Sequence, residues 1–293
     1  MREVTGDASW RDVRVGPLVA RVGARGERLI AALHNAFLGY EEPGSGPCHV
    51  AVHIDATLDA PVVPGLPELP RLAPGGAETL RDESEGFALE ARVDGATLVV
   101  RARLRDYGAD DGGVLLRRQL EGLARVALAT AAPLSGAVLL HGCAAVLDGA
   151  ATVFVGASGD GKTTMARRLG DALVLADDTV LVTRAAGGAQ TVAGTPFAGK
   201  EGLPRRGDAW PLARVVTLAP REPLSLTPLA PGQVLEALLQ RALWYAPGWQ
   251  QGTLALLDAL TALADAVPGG RLASTLDDDV LPALLAGREA VAC

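Results

Sequence analysis

Residues 156–163 read Gly-Ala-Ser-Gly-Asp-Gly-Lys-Thr and match every fixed position of the Walker A phosphate-loop pattern G-x-x-x-x-G-K-[ST]. Gly156, Gly159 and Gly161 can take backbone angles closed to other residues, so successive N–H groups from Gly156, Ala157, Ser158, Gly159, Asp160 and Gly161 can turn inward around an anion. Lys162 can then reach the β- and γ-phosphate oxygens, and the Thr163 hydroxyl can bind Mg²⁺. Thr164 closes the segment as a helix residue. The carboxylate of Asp160 would repel phosphate if it faced the cradle, so it is expected to point to solvent. Fifteen positions after Lys162, the adjacent carboxylates Asp177 and Asp178 interrupt the apolar run 173–182. One of them can hold a metal ion that bridges the phosphates while the other accepts a proton from an attacking hydroxyl. The same pair also suits a strand-end turn or cap, a reading that the phosphate loop disfavours. His141, in an apolar run before the loop, is compatible with a catalytic group and with a satisfied core histidine alike.

These residues need a strand, a Gly-rich turn and a helix in that order. Ala151–Val155 suits a buried parallel strand, and 162–169 continues as a helix whose N-terminus faces the loop. Residues 136–149 read as two strands with a turn at Asp148-Gly149. Further on, 213–218 reads as a buried strand, 231–245 as a helix with proline in its first turn, 253–266 as an amphipathic helix and 271–274 as a last strand. Asp277, Asp278 and Asp279 read as a helix cap and first-turn acids, and Trp244, Tyr245 and Trp249 as packing groups. In the first half, strands are expected over 13–21, 48–54, 87–93 and 97–104, and helices over 27–37 and 115–131. The proline-rich segment 61–76 reads as a loop. The chain therefore divides near Pro133 into an N-terminal α+β domain, 1–132, and a nucleotide-binding domain, 133–293. No internal repeat is evident.

The series Leu140-His141-Gly142, a hairpin, the G-x-x-x-x-G-K-T loop, one helix and Ala176-Asp177-Asp178 resembles the catalytic core of bacterial HPr kinase/phosphorylase and its relatives. The resemblance covers about residues 136 to 220 well and the remainder more loosely. It implies an α/β core of the type shared with ATP-dependent phosphoenolpyruvate carboxykinase, in a chain that is α+β as a whole. It implies that Lys162 and Thr163 bind phosphates and Mg²⁺, that Asp178 holds the metal, that Asp177 accepts the proton, and that His141 lies beside the transferred phosphoryl group. The cofactors implied are ATP and Mg²⁺, and the acceptor is a serine or threonine hydroxyl of a protein or peptide, or else a small-molecule alcohol. The chain departs from the family pattern at Thr163-Thr164, where Ser-Glu is typical, and in 195–207, where the Glu-x-Arg-Gly signature is not reproduced. Glu201, Arg205 and Arg206 there are candidates for the acceptor or the developing phosphate charge, and HPr itself is not the expected acceptor. A nucleotide-binding sensor or scaffold without transfer is the alternative, and an ATP-dependent carboxykinase a more distant one.

Composition fits a soluble cytoplasmic protein. The chain has 293 residues, a net charge of −7, 49% hydrophobic and only 4% aromatic residues. Its core must be built mainly from Ala, Val and Leu, and its acidity argues against nonspecific nucleic-acid binding. No apolar stretch approaches the roughly 20 residues of a membrane helix, and the start lacks a signal-like apolar region. Cys48, Cys143 and Cys293 are too scattered for a disulfide framework. Cys48, His49 and His53 superficially suggest a metal site but lack a fourth ligand. A homo-oligomer is compatible with the sequence.

Overall fold

The computed structural model describes residues 9–40, 51–59, 72–76, 79–82, 88–94, 97–105, 113–169, 173–185, 187–197, 199 and 205–286. Among the described residues there are six helices and two sheets, and the chain divides into two compact units, Met1–Ser135 with Trp244–Ala255, and Gly136–Leu243 with Leu256–Cys293.

In the first unit, β1 (Ser9–Val15) and β2 (Leu18–Ala24) form an antiparallel hairpin. The single strand expected over 13–21 is split because Gly16, at φ 53°, reverses the chain before Pro17. Next come α1 (Glu27–Ala36), β3 (Ala51–Asp59), β4 (Leu72–Gly76), β5 (Thr79–Asp82), β6 (Ala88–Asp94), β7 (Thr97–Arg105) and α2 (Val114–Ala131). The sheet order is β1-β2-β3-β7-β6-β5-β4. Along β6 and β7 the alternation is regular: Leu89, Ala91, Leu98, Val100, Ala102 and Leu104 are buried, while Glu90, Arg92, Arg101 and Arg103 are exposed. Period two thus gives the sheet one apolar face, and α2 packs on β2, β3 and β7. Within 61–76, read as a loop, residues 72–76 instead form a strand because β5 pairs with them. Residues 60–71, Cys48 and His49 lie outside the described residues, as do the side-chain surroundings of His53. Trp244 and Trp249 stack with ring centroids 6.2 Å apart, as packing groups should.

A 3-10 turn, Ala132–Ser135, leads to β8 (Val138–Leu147) and β9 (Ala150–Val155), hairpin partners joined by Asp148 (φ 47°) and Gly149 (φ 76°). The chain continues with α3 (Lys162–Arg168), β10 (Leu173–Ala176), β11 (Thr179–Arg184), β12 (Gln190–Gly194), β13 (Ala209–Pro220), β14 (Ser225–Leu229), α4 (Pro231–Leu239), α5 (Gln250–Ala266), β15 (Gly269–Ser274) and α6 (Leu281–Ala286), all of the second unit except the start of α5, up to Ala255, which belongs to the first. Strands β8 to β15 form a mixed sheet in which β9, β13 and β15 run parallel to one another. Val153, Phe154, Val215, Val216, Leu272 and Ala273 are buried along these three strands.

Two departures from the expected elements bear on the site. The run 173–182 is two strands, β10 and β11, both antiparallel to β8 and broken at Asp177 and Asp178. The break lies opposite Gly142, whose N–H donates to the Asp178 carbonyl at 2.9 Å. The helix expected over 231–245 ends at Leu239, and residues 241–243 run beside β8 instead. His141 N–H donates to the Arg241 carbonyl at 2.7 Å and Leu243 N–H to the Leu139 carbonyl at 2.9 Å. On that side β9 covers only Gly142 to Leu147, so the buried groups at 139–141 need other partners. Among the described residues no helix is long and apolar enough to cross a membrane.

Candidate functional site

The phosphate-loop segment leaves the carboxyl end of β9, beside the parallel strand β13. The crevice outside the carboxyl ends of parallel strands is where α/β sheets bind ligands. Its far end is anchored by α3, which buries Met165, Ala166 and Leu169 against Phe154, Val216 and Leu272. Burial of each large side chain here stabilises the anchor by about 1.5–3 kcal/mol. Cys143 lies under the same helix. Its thiol donates to the Lys162 carbonyl at 3.3 Å, and burial pushes its pKa up to about 12. It is a packed, protonated thiol.

Within the loop, Gly159 and Gly161 take positive φ, 94° and 88°. The Lys162 ammonium arches back to the carbonyls of Gly156 and Ala157, each at 3.0 Å. Its pKa is lowered by burial first and by the Arg241 guanidinium second. Asp160 does not face solvent as expected. Its Oδ2 accepts the Ala157 N–H, so the carboxylate turns back onto the loop. The physical reason is local: a loop N–H with no carbonyl partner is a strong donor, and a carboxylate three residues away can reach it. Ser158 is exposed, and Thr163 and Thr164 are half-buried.

The acidic pair occupies the break between β10 and β11, and its two members differ sharply. Asp177 is only 3% exposed; its Oδ1 accepts the Gly199 N–H at 3.3 Å, while Oδ2 is buried and has no hydrogen-bond partner among the described residues. Burial is the main cause of its raised pKa, with the neighbouring Asp178 adding to it. Asp178 is more open. Its Oδ2 accepts the Thr179 hydroxyl at 2.9 Å, and its Oδ1 lies 3.5 Å from His141 Nδ1. Burial lowers the His141 pKa, Lys162 and Arg241 add to the lowering, and Asp178 opposes it. The imidazole is therefore held toward its neutral form.

His141, Lys162, Asp178 and Arg241 thus form one electrostatic cluster. Arg241 is the member that the sequence reading missed, because it stood inside an expected helix with nothing to distinguish it. Gly199 was missed too; an ideal Cβ there would stand 2.5 Å from Asp177 Oδ2. Of the acceptor-site candidates, Glu201 lies outside the described residues. The Arg205 guanidinium donates to the Pro196 carbonyl and is near enough to Asp177 to oppose its raised pKa. Arg206 contributes through its main chain, with its N–H on the Leu175 carbonyl at 2.8 Å and its carbonyl accepting the Gly194 N–H at 2.9 Å. No protein-family model and no curated protein matches this sequence.

A magnesium site would fit these residues. Mg²⁺ takes one or two carboxylates and fills its remaining positions with phosphate oxygens and water. Asp178, at the strand break, and the half-buried Thr163, at the start of α3, carry oxygen donors of the type such a site uses. Among the described residues no group of three or more His, Cys, Asp or Glu forms an all-protein metal cage.

The close approach of Gly199 to Asp177 yields a direct test. Gly199→Ala is expected to destabilise the protein by about 1–3 kcal/mol, the cost of overpacking a filled site. Because the methyl group would displace the Asp177 carboxylate, any activity that needs Asp177 should fall as well. Urea unfolding at matched pH measures the first effect.

Proposed function

We propose that the second unit is an ATP- and Mg²⁺-dependent kinase core of the HPr-kinase-like type, transferring the γ-phosphoryl group to a hydroxyl. The observation that carries this reading is the convergence of the loop lysine, one carboxylate of the adjacent acidic pair, His141 and Arg241 in a single cluster outside a parallel strand. A bound Mg²⁺, held by Asp178 and Thr163, would neutralise phosphate charge. The chain's own groups carry the remaining tasks. Asp177 Oδ2, without a hydrogen-bond partner among the described residues and with a raised pKa, receives the proton of the acceptor hydroxyl as the hydroxyl oxygen bonds to phosphorus and the bond to ADP breaks. Lys162 leaves the loop carbonyls for the phosphate oxygens, and Arg241 supplies a second positive charge as negative charge builds on the transferred group. Neutral His141 orients the open face of Asp178. The acceptor is a serine or threonine hydroxyl of a protein or peptide, or a small-molecule alcohol.

The test is incubation with γ-labelled ATP and Mg²⁺, using a lysate of the source cells as acceptor pool and the Asp177→Asn variant as control. Label that depends on Asp177 supports a kinase and marks its acceptor. ATP binding without label would favour a nucleotide-gated binding module. Arg241→Ala is expected to lower transfer about 100-fold, as loss of one charge-stabilising donor does. ATP affinity and Tm should change much less, because Arg241 holds His141 through its main chain.

A further inference from the structure

Asp160 is the one acid inside the loop, and the contacts of its carboxylate are specific. Oδ2 accepts the Ala157 N–H, and the main-chain N–H of Asp160 donates to the Ala157 carbonyl at 3.2 Å. The side chain presses on Gly156, where an ideal Cβ would stand 3.0 Å from Oδ2 and 3.1 Å from the Asp160 Cβ. The carboxylate is also close enough to Lys162 to favour its charged form. A loop N–H and the loop lysine are the groups a phosphate would engage, and Asp160 already shares both.

We propose that Asp160 makes this loop selective for metal-complexed polyphosphate over free polyphosphate. The proposal rests on the reading of the loop as a nucleotide site. A triphosphate entering without a cation meets a fixed negative charge at the entrance, whether it displaces the carboxylate from Ala157 or lies beside it. A triphosphate carrying a divalent cation arrives partly neutralised, and its cation is attracted to the same carboxylate. Asp160 acts as a specificity-determining residue and takes no part in bond making.

The experiment is calorimetric titration of the full chain with ATP in EDTA and with ATP plus Mg²⁺, for the wild type, Asp160→Asn and Lys162→Ala. Asparagine keeps an oxygen acceptor for the Ala157 N–H and removes only the charge; Asp160→Ser serves if the first variant does not fold. Loss of the charge is expected to tighten binding of metal-free ATP about tenfold, to change Mg²⁺–ATP binding much less, and so to narrow the preference for the complexed form. Unchanged or weaker binding of metal-free ATP by Asp160→Asn, with the wild type and Lys162→Ala still clearly different, would overturn the proposal and leave Asp160 as a loop staple. A wild type that binds neither form, or binds both no better than Lys162→Ala, would overturn the nucleotide reading together with it.

Discussion

Asp177→Asn is expected to lower phosphoryl transfer about 1,000-fold, within the range for loss of a general base, while ATP affinity stays within a few-fold. The same substitution should make the protein more stable at pH 8. Both effects come from the buried Oδ2, which has no hydrogen-bond partner among the described residues. Burial holds the Asp177 pKa above the ordinary carboxylate value, so the native state binds its proton more tightly than the unfolded chain does. That contribution to stability is fully present below the ordinary pKa and is lost as pH rises through the raised one. Asparagine does not titrate and keeps the oxygen that accepts the Gly199 N–H. Its stability advantage over wild type should therefore be largest at neutral and alkaline pH, shrink as pH falls through the raised pKa, and change no further below the ordinary carboxylate value. Thermal unfolding of the pair across pH 4 to 8, beside transfer assays at pH 7.5, checks both halves. An equal loss of ATP binding and transfer would make Asp177 a metal ligand or a structural group.

Lys162→Ala should weaken ATP binding by about 100-fold or more and lower transfer further, because the lost charge matters more as the phosphoryl group moves. The fold should survive. The ammonium makes two hydrogen bonds to its own loop, on the carbonyls of Gly156 and Ala157, and their removal costs about 1–3 kcal/mol. The anchor of α3 lies elsewhere, in Met165, Ala166 and Leu169. Arginine is not a conservative replacement, since its planar guanidinium cannot reproduce the compact ammonium that bonds both the Gly156 and the Ala157 carbonyl. Titration with ATP and Mg²⁺ next to a denaturation curve separates loss of ligand contact from loss of structure. Unchanged affinity and unchanged transfer together would show that the loop does not hold phosphate.

Much of the local structure is written in the residues themselves. The loop pattern lies between a β-branched apolar run and a helix, and β9 and α3 form there because nothing local opposes either element. The Asp148-Gly149 turn and the strands β6 and β7 follow equally local rules, of turn chemistry and of period-two alternation. Asp279 accepts the Leu281 N–H at 3.2 Å at the start of α6, as its position in the acidic triplet suggested, but none of the three acids lies in the first turn, because the helix begins only at Leu281.

What the residues could not specify depends on partners distant in the chain. The acidic pair was visible, but the asymmetry between a buried Asp177 and a more open Asp178 comes with Gly199, which lies beyond the end of β12, and with His141, which β8 brings beside the pair. The helix signal of 231–245 was overridden at Arg241 because the unpaired backbone of β8 took those residues as partners, and this carried a second cation to the lysine and the histidine. Asp160 is the local exception: it turned inward because the Ala157 N–H, three residues away, needed an acceptor, a demand apparent only once the loop had its shape. Residue types and spacing alone made Lys162, Asp177, Asp178 and His141 legible as candidate groups, but not Arg241. Tertiary structure decided their burial, their partners and hence their charge, because desolvation and hydrogen bonding depend on neighbours that only folding supplies.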